Sequence, residues 1–92
     1  MIIQLINNIP TCLMSVPLDN YKKSGFSSGD LDFLTFEYLY KLLVGMEYSL
    51  NTDSMIFVMR GSIISIMQFV NILKNLYNLE LTDWKENDKD IR

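Results

Sequence analysis

The longest apolar stretch of the chain, residues 54–79, most constrains the fold, because it is either a membrane span or two elements of a soluble domain. It reads SMIFVMRGSIISIMQFVNILKNLYNL. A spanning helix needs about 20 consecutive apolar residues. Arg60 and Lys74 bound the uncharged part, and glycine, serine, glutamine and asparagine interrupt it. We therefore predict a strand, a turn and a helix in a soluble fold.

The two halves of this stretch have different patterns. Met55 to Met59 is a short apolar run that Arg60-Gly61 would end, which is typical of a buried strand. Ser62 is a suitable N-cap for a helix that follows. Apolar side chains then recur at helical spacing, opposite a polar side: Ile63, Ile66, Met67, Val70, Leu73 and Tyr77 against Ser65, Gln68, Asn71, Asn75 and Asn78. The pattern predicts an amphipathic helix that buries Ile66, Val70 and Leu73.

The first 18 residues carry no charged side chain. A signal peptide needs a basic segment before an unbroken apolar one, and neither is present. We predict a strand over Met1 to Ile6 and a turn at Asn7-Asn8. A second extended piece runs from Thr11 to Val16, and Pro10 and Pro17 are expected to confine it to a sheet edge or a loop.

The middle of the chain allows two interpretations. Residues 18–30 are rich in Gly, Ser, Asn and Asp, which indicates a loop. Residues 31–44 suit a helix, because Ser27 and Asp30 resemble a capping box. The same residues also alternate apolar and polar side chains, with many aromatics, as strands do. Helix is the preferred interpretation, strand stays open, and Asn51-Thr52-Asp53 would form the next turn.

The last residues change character. Residues 80–84, ELTDW, can add a short strand on Leu81 and Trp84, and the charged residues beyond are expected to fray. The prediction is one α+β domain over residues 1–82, in the order strand, loop, helix, strand, helix and short terminal strand, with a charged tail over residues 83–92.

The residue inventory argues against catalysis and against cofactors. The chain has no histidine and one cysteine, so sites built on Cys and His ligands and Cys–His nucleophile pairs are excluded. Cys12 cannot form an intrachain disulfide, which favours a reducing, cytoplasmic setting, and we expect it to be buried. No phosphate-binding glycine loop is present. We predict a protein that is not an enzyme and that holds no metal or cofactor.

Charge points away from nucleic acid and towards a basic partner. The net charge is −3 and the basic residues are scattered, whereas phosphate binding needs a basic stripe. Five acids and one base, Lys41, lie between Asp30 and Asp53. The predicted partner-binding surface combines acids with aromatics: Asp30, Asp32, Phe33, Phe36, Glu37 and Tyr40. One alternative is that the acidic segment is only a solvated face. Another is that the acids cap a helix and the rings belong to the core.

One short segment resembles a known family. Residues 29–39, GDLDFLTFEYL, resemble the start of the acidic partner-binding helix in barstar-like ribonuclease inhibitors, where a glycine precedes a Leu-Asp-x-Leu pattern. Leu31 to Leu34 fit that pattern, and a strand and a helix follow, as they do in that family. The first helix of that fold has no counterpart between Asn8 and Asn20. The resemblance implies a protein that binds a nuclease.

These observations together predict a small protein-binding module: an inhibitor, an immunity protein or a phage-encoded antagonist. Its expected partner is another protein, such as a basic nucleic-acid enzyme, with no direct nucleic-acid or membrane binding. The hydrophobic fraction is 49% without a single alanine, so bulky side chains exceed what a small core can hide. The alternative is therefore a structural or assembly subunit that self-associates, for example as a homodimer. The composition also fits an AT-rich bacterial or phage gene.

Overall fold

The protein has an α+β fold of one antiparallel sheet and a few short helices, as predicted. A computed structural model describes residues 1–84. It measures 39 × 32 × 17 Å, and the short dimension corresponds to one sheet with one layer packed on it. The elements follow in this order: β1 (Ile3–Ile6), β2 (Ile9–Pro17), α1 (Leu18–Lys22), α2 (Phe33–Glu37) continuing as a π-helical segment (Tyr38–Leu42), β3 (Leu43–Asn51), β4 (Ser54–Gly61), α3 (Ile63–Asn75) and β5 (Thr82–Asp83).

The sheet is built from two hairpins. Its strand order is β1-β2-β4-β3, and β5 pairs with β2 beyond the end of β1. The predicted turn at Asn7-Asn8 is confirmed, with φ values of 54° and 65°, as two-residue hairpin turns require. The predicted turn before β4 is also confirmed, and Thr52 adopts a φ of 54° there.

The expectation that prolines confine the second strand to an edge is wrong, because β2 lies in the middle of the sheet. It pairs with β1, β4 and β5. Pro10 is paired with Leu5, one position beyond the hydrogen-bonded pair next to the turn. Its nitrogen therefore faces away from β1, towards β4, where pairing begins only at Thr11. Pro17 is the last residue of β2. Neither proline removes a hydrogen bond from the middle of the strand.

The core lies between one face of the sheet and α3. Alternate residues of β2 and β4 point to this face, and all are essentially buried: Cys12, Met14, Val16, Phe57 and Met59. From α3 the core receives Ile66, Phe69, Val70 and Leu73, which confirms the three residues predicted to be buried. Ser62 caps the helix as predicted, because its hydroxyl accepts a hydrogen bond of 3.1 Å from the Ser65 N–H.

Two residues of the predicted buried face of α3 lie outside it. Ile63 is 51% and Met67 45% exposed, whereas Phe69 is fully buried. The helical spacing predicted a buried face that included Ile63 and Met67 and left out Phe69, because this helix carries apolar residues on more than one side. The observed face is centred between Phe69 and Val70.

The segment between residues 18 and 51 differs most from the prediction. Residues 18–22 form a short helix where a loop was expected. Residues 33–42 are helical, as preferred, but β3 starts directly at Leu43 and was not predicted as a separate strand. No turn residue separates them, so the sequence shows no boundary there. Arg60-Gly61, predicted to end the preceding strand, are themselves the last residues of β4.

The short strand β5 lies close to the start of the chain. The predicted terminal strand is present as β5, although at Thr82–Asp83, between the two residues expected to carry it. The Asp83 carboxylate pairs with the terminal amine of Met1 at 3.4 Å and accepts the Ile2 N–H at 3.1 Å. Asp83 thus belongs to the sheet, and residues 85–92 of the predicted tail lie outside the described residues. Among residues 1–84, no helix is long and apolar enough to cross a membrane.

Cys12 is fully buried, as predicted. Burial, with a smaller contribution from the Asp83 carboxylate, raises the pKa of its thiol from 9.0 to about 11. Above pH 9 the unfolded chain loses this proton while the folded chain keeps it, so the thiol's contribution to stability is lost as the pH rises towards 11. We expect a loss that reaches about 2 kcal/mol by pH 10.5. Urea unfolding of the wild type and Cys12→Ala across pH 8–10.5 measures it, since tyrosine ionisation is common to both proteins. Equal pH dependence of the two would contradict the assignment.

Candidate partner-binding surface

The start of α2 is fixed by one aspartate. The Asp32 carboxylate accepts a hydrogen bond of 2.8 Å from the Thr35 N–H, and its backbone carbonyl accepts the Phe36 N–H at 3.0 Å. Asp32 is therefore the N-cap. The predicted capping box at Ser27 is wrong, because Ser27 lies in the preceding loop and its N–H donates to the Ser24 hydroxyl.

The start of α2 is anchored to the segment that follows α3. Thr35 is fully buried, so the side of the helix that carries it faces the domain. The Asp32 N–H donates a hydrogen bond of 2.9 Å to the Tyr77 hydroxyl. Tyr77 is itself buried, and its ring packs edge-on against Phe26 with centroids 5.7 Å apart. The orientation of α2 is thus set by contacts with the core, which leaves the opposite side of the helix facing solvent.

That solvent-facing side carries the three predicted aromatic residues. Phe33 is 73%, Phe36 50% and Tyr40 66% exposed. Phe36 and Tyr40 are four positions apart, and their ring centroids lie 4.6 Å apart at an interplanar angle of 39°. The two rings are therefore in contact with each other while a large part of both remains open to water. The alternative prediction, that these rings belong to the core, is wrong.

The carboxylates of the predicted surface lie beside these rings. Asp30 and Asp32 are exposed and Glu37 is half-buried. None of the three forms an ion pair within residues 1–84. We call the six residues Asp30, Asp32, Phe33, Phe36, Glu37 and Tyr40 the acidic–aromatic surface. It presents uncompensated negative charge next to exposed rings.

The other two acids of the acidic segment lie elsewhere. Glu47 is on β3 and forms a salt bridge of 3.3 Å with Arg60. Asp53 is in the turn between β3 and β4 and lines a depression together with Glu80. The five acids that are close in sequence therefore do not form one patch, and only Asp30, Asp32 and Glu37 accompany the aromatic rings.

A cleft adjoins the acidic–aromatic surface and was not predicted from the sequence. It encloses about 490 Å³ between the loop after α1, the start of α2 and the end of α3. Asp30 and Asp32 line it, together with Lys23 and Tyr77. The Asn20 side chain ties its rim together, because it donates to the Asn78 carbonyl and accepts the Glu80 N–H. These partners are up to 60 residues apart in sequence, so no local pattern could have indicated the cleft.

The acidic–aromatic surface consists of carboxylates and aromatic rings. Within the described part of the chain, no group of three Cys, Asp or Glu side chains could hold a metal ion. The one thiol, that of Cys12, is buried in the core, away from α2. Carboxylates that lack ion pairs attract a cationic group, and exposed rings supply apolar contact area.

No family model, curated protein or solved structure matches the chain. The short resemblance of residues 29–39 to barstar-like inhibitors therefore gains no support. The functional interpretation rests on the physical properties of the surface itself.

Proposed function

We propose that this protein binds another protein through the acidic–aromatic surface, and that it has no catalytic role. The supporting observation is the exposure of Phe33, Phe36 and Tyr40 on one side of a helix whose other side is fixed to the core. Exposed aromatic side chains next to unpaired charge are enriched where a partner binds, because the rings give desolvated contact and the charges give steering.

The partner that fits is a basic protein, such as a nucleic-acid enzyme, in the cytoplasm. Three carboxylates that form no ion pair with the other described residues would speed the approach of a positive surface and make the association rate sensitive to salt. The cleft lined by Asp30 and Asp32 adjoins this surface. A protruding side chain of the partner would bind in it. An inhibitor, an immunity protein or a phage-encoded antagonist are the forms that this role would take.

The test uses variants that keep the fold. Lysine at position 32 would remove the N-cap, so the charges are better neutralised by Asp32→Asn, which still caps, together with Glu37→Gln. A pull-down from the native host first identifies the partner. Surface plasmon resonance then compares the variants. We expect the neutral pair to slow association about tenfold at low salt, and Phe36→Ala to weaken binding by about 30-fold.

Matched controls are available on the same chain. Asp53→Asn with Glu80→Gln neutralises two acids that also lie together, and Leu5→Ala truncates a side chain that is 73% exposed, like that of Phe33. Both controls should bind as the wild type does. If the partner binds the neutral pair and Phe36→Ala as tightly as the wild type, at both low and high salt, the acidic–aromatic surface is not the interface.

A further inference from the structure

β3 forms an outer edge of the sheet, and no other strand of the described residues pairs with that edge. Its only strand neighbour among residues 1–84 is β4. The Leu43 N–H donates to the Tyr38 carbonyl at the end of the preceding helical segment. Apart from this bond, no backbone hydrogen bond outside the β3–β4 ladder involves β3 within this part of the chain. The strand is nine residues long and contains neither proline nor lysine, two of the devices that usually protect a sheet edge from pairing.

The pairing with β4 decides which residues present their backbone outwards. A two-residue turn joins β3 to β4, and the residues on either side of it, Asn51 and Ser54, form the first hydrogen-bonded pair of the ladder. Hydrogen-bonded and non-hydrogen-bonded pairs alternate from there. The N–H and C=O groups of Leu50, Tyr48 and Met46 therefore point away from β4, towards the open edge.

We propose that two copies of this chain associate by antiparallel pairing of their β3 strands about a two-fold axis at Tyr48. In this register Tyr48 lies opposite the partner's Tyr48, and Met46 lies opposite the partner's Leu50. All three residues carry outward-pointing backbone groups, so the pairing satisfies them in both copies. Two five-stranded sheets then join into one continuous sheet.

The side chains favour this register over its neighbour. An axis at Glu47 also aligns the backbone groups, but it places two Glu47 carboxylates directly opposite each other, which is destabilising. The axis at Tyr48 places Glu47 opposite the partner's Ser49, and the Glu47–Arg60 salt bridge of each copy stays on its own strand pair. Charge thus excludes the register centred on Glu47, and the register centred on Tyr48 pairs all three residues whose backbone groups point outwards.

The apolar side chains of the edge support the same pairing. Tyr48 and Leu50, which are 51% and 62% exposed, point to the core face of the sheet, because they pair with Phe57 and Met55 of β4. The Tyr48 ring already stacks on Phe57, with centroids 5.8 Å apart at 25°. A second copy would extend the core face with its own Met46, Tyr48 and Leu50 and cover these exposed side chains. This inference does not depend on the acidic–aromatic surface.

Cysteine cross-linking of the full chain tests the register. Glu47 and the partner's Ser49 form a non-hydrogen-bonded pair, whose Cα atoms lie about 4.5 Å apart, within the range that a disulfide spans. We expect the double variant Glu47→Cys/Ser49→Cys to form a covalent dimer on mild oxidation, while each single variant does not. Cys12 is buried and remains unreacted. A dimer from Glu47→Cys alone or from Ser49→Cys alone would place the axis on that residue and overturn the register.

The oligomeric state tests the interface itself. Sedimentation equilibrium should show a wild-type dimer, and Leu50→Lys should raise its dissociation constant at least about tenfold, because symmetry places the substitution twice in the interface. The control Ile64→Lys introduces the same charge at a site on α3 that is 69% exposed, and it should leave the dimer unchanged. A folded wild type that stays monomeric, or a dimer that Ile64→Lys disrupts and Leu50→Lys does not, would overturn the proposal. A monomer whose β3 captures another protein's extended segment would assign the edge to that partner instead.

Discussion

Replacing Phe57 by alanine is expected to lower the free energy of unfolding by about 3–5 kcal/mol. Phe57 is fully buried in the middle of β4, and its ring lies 5.7 Å from Phe26, 6.0 Å from Tyr21 and 5.8 Å from Tyr48, measured between centroids. One truncation therefore removes contacts with the loop after α1, with α1 and with β3. The sheet backbone cannot move in to fill the space, because β4 is paired on both sides.

The matched control is Phe33→Ala, which is the same chemical change on a side chain that is 73% exposed. We expect it to change the free energy of unfolding by less than about 0.5 kcal/mol. Urea unfolding followed by far-UV circular dichroism measures both variants. A loss for Phe33→Ala as large as that for Phe57→Ala would show that the α2 ring is packed into the core, and it would remove the main support for the acidic–aromatic surface.

Local signals in the sequence were sufficient where one or two residues determine the structure. The Asn7-Asn8 turn is one example. Both residues adopt a positive φ, which asparagine tolerates and which a two-residue hairpin turn needs. Ser62 is another, since its hydroxyl bonds the Ser65 N–H and starts α3. The α+β class followed from these signals together with the helical period of residues 63–77.

The sequence failed where the pairing partner decides the structure. Residues 43–51, LVGMEYSLN, follow a helix without a turn residue, and their extended conformation is stabilised by β4 across the hairpin. Pro10 indicated an edge strand, yet β2 is central, because the proline nitrogen lies where β4 has not yet begun to pair. Both errors have one origin: a strand's place in the sheet depends on residues that are distant in sequence.

The candidate surface was predictable in its members but not in its shape. The chain is 49% hydrophobic, and its core is too small to bury every aromatic ring. Residues 30–40 combine such rings with acids. Which side of α2 faces solvent depends on contacts with the core, among them the hydrogen bond from the Asp32 N–H to the Tyr77 hydroxyl, 45 residues away. The cleft and the separation of Glu47 and Asp53 from the surface likewise required the tertiary fold.

Two adjacent residues of α3 give the sharpest test of the observed helix face, because helical periodicity alone assigns both to the core. Ile66 is fully buried and Met67 is 45% exposed. Ile66→Asp would place a carboxylate in the core among Phe69, Val70 and the residues of β2 and β4. The loss of apolar burial and the buried charge together are expected to cost more than about 4 kcal/mol. A domain of this size has about 5–10 kcal/mol of stability, so we expect the variant to lose about half of it or more at neutral pH.

Met67→Asp makes the same charge change one position further along the same helix, and it should cost about 1 kcal/mol or less, since the new carboxylate stays in water. The pH dependence separates a buried carboxyl from a merely poor fit. Burial raises the pKa of an aspartate at position 66 above that of the unfolded chain, so the cost of Ile66→Asp is smallest below about pH 4 and grows as the pH rises. Urea unfolding of both variants and the wild type at pH 4 and pH 7 gives the two differences. Two results would contradict the observed helix face: Met67→Asp is the more destabilising variant, or the cost of Ile66→Asp does not depend on pH. Either would show that Ile66 does not lie on the side of α3 that packs against the sheet.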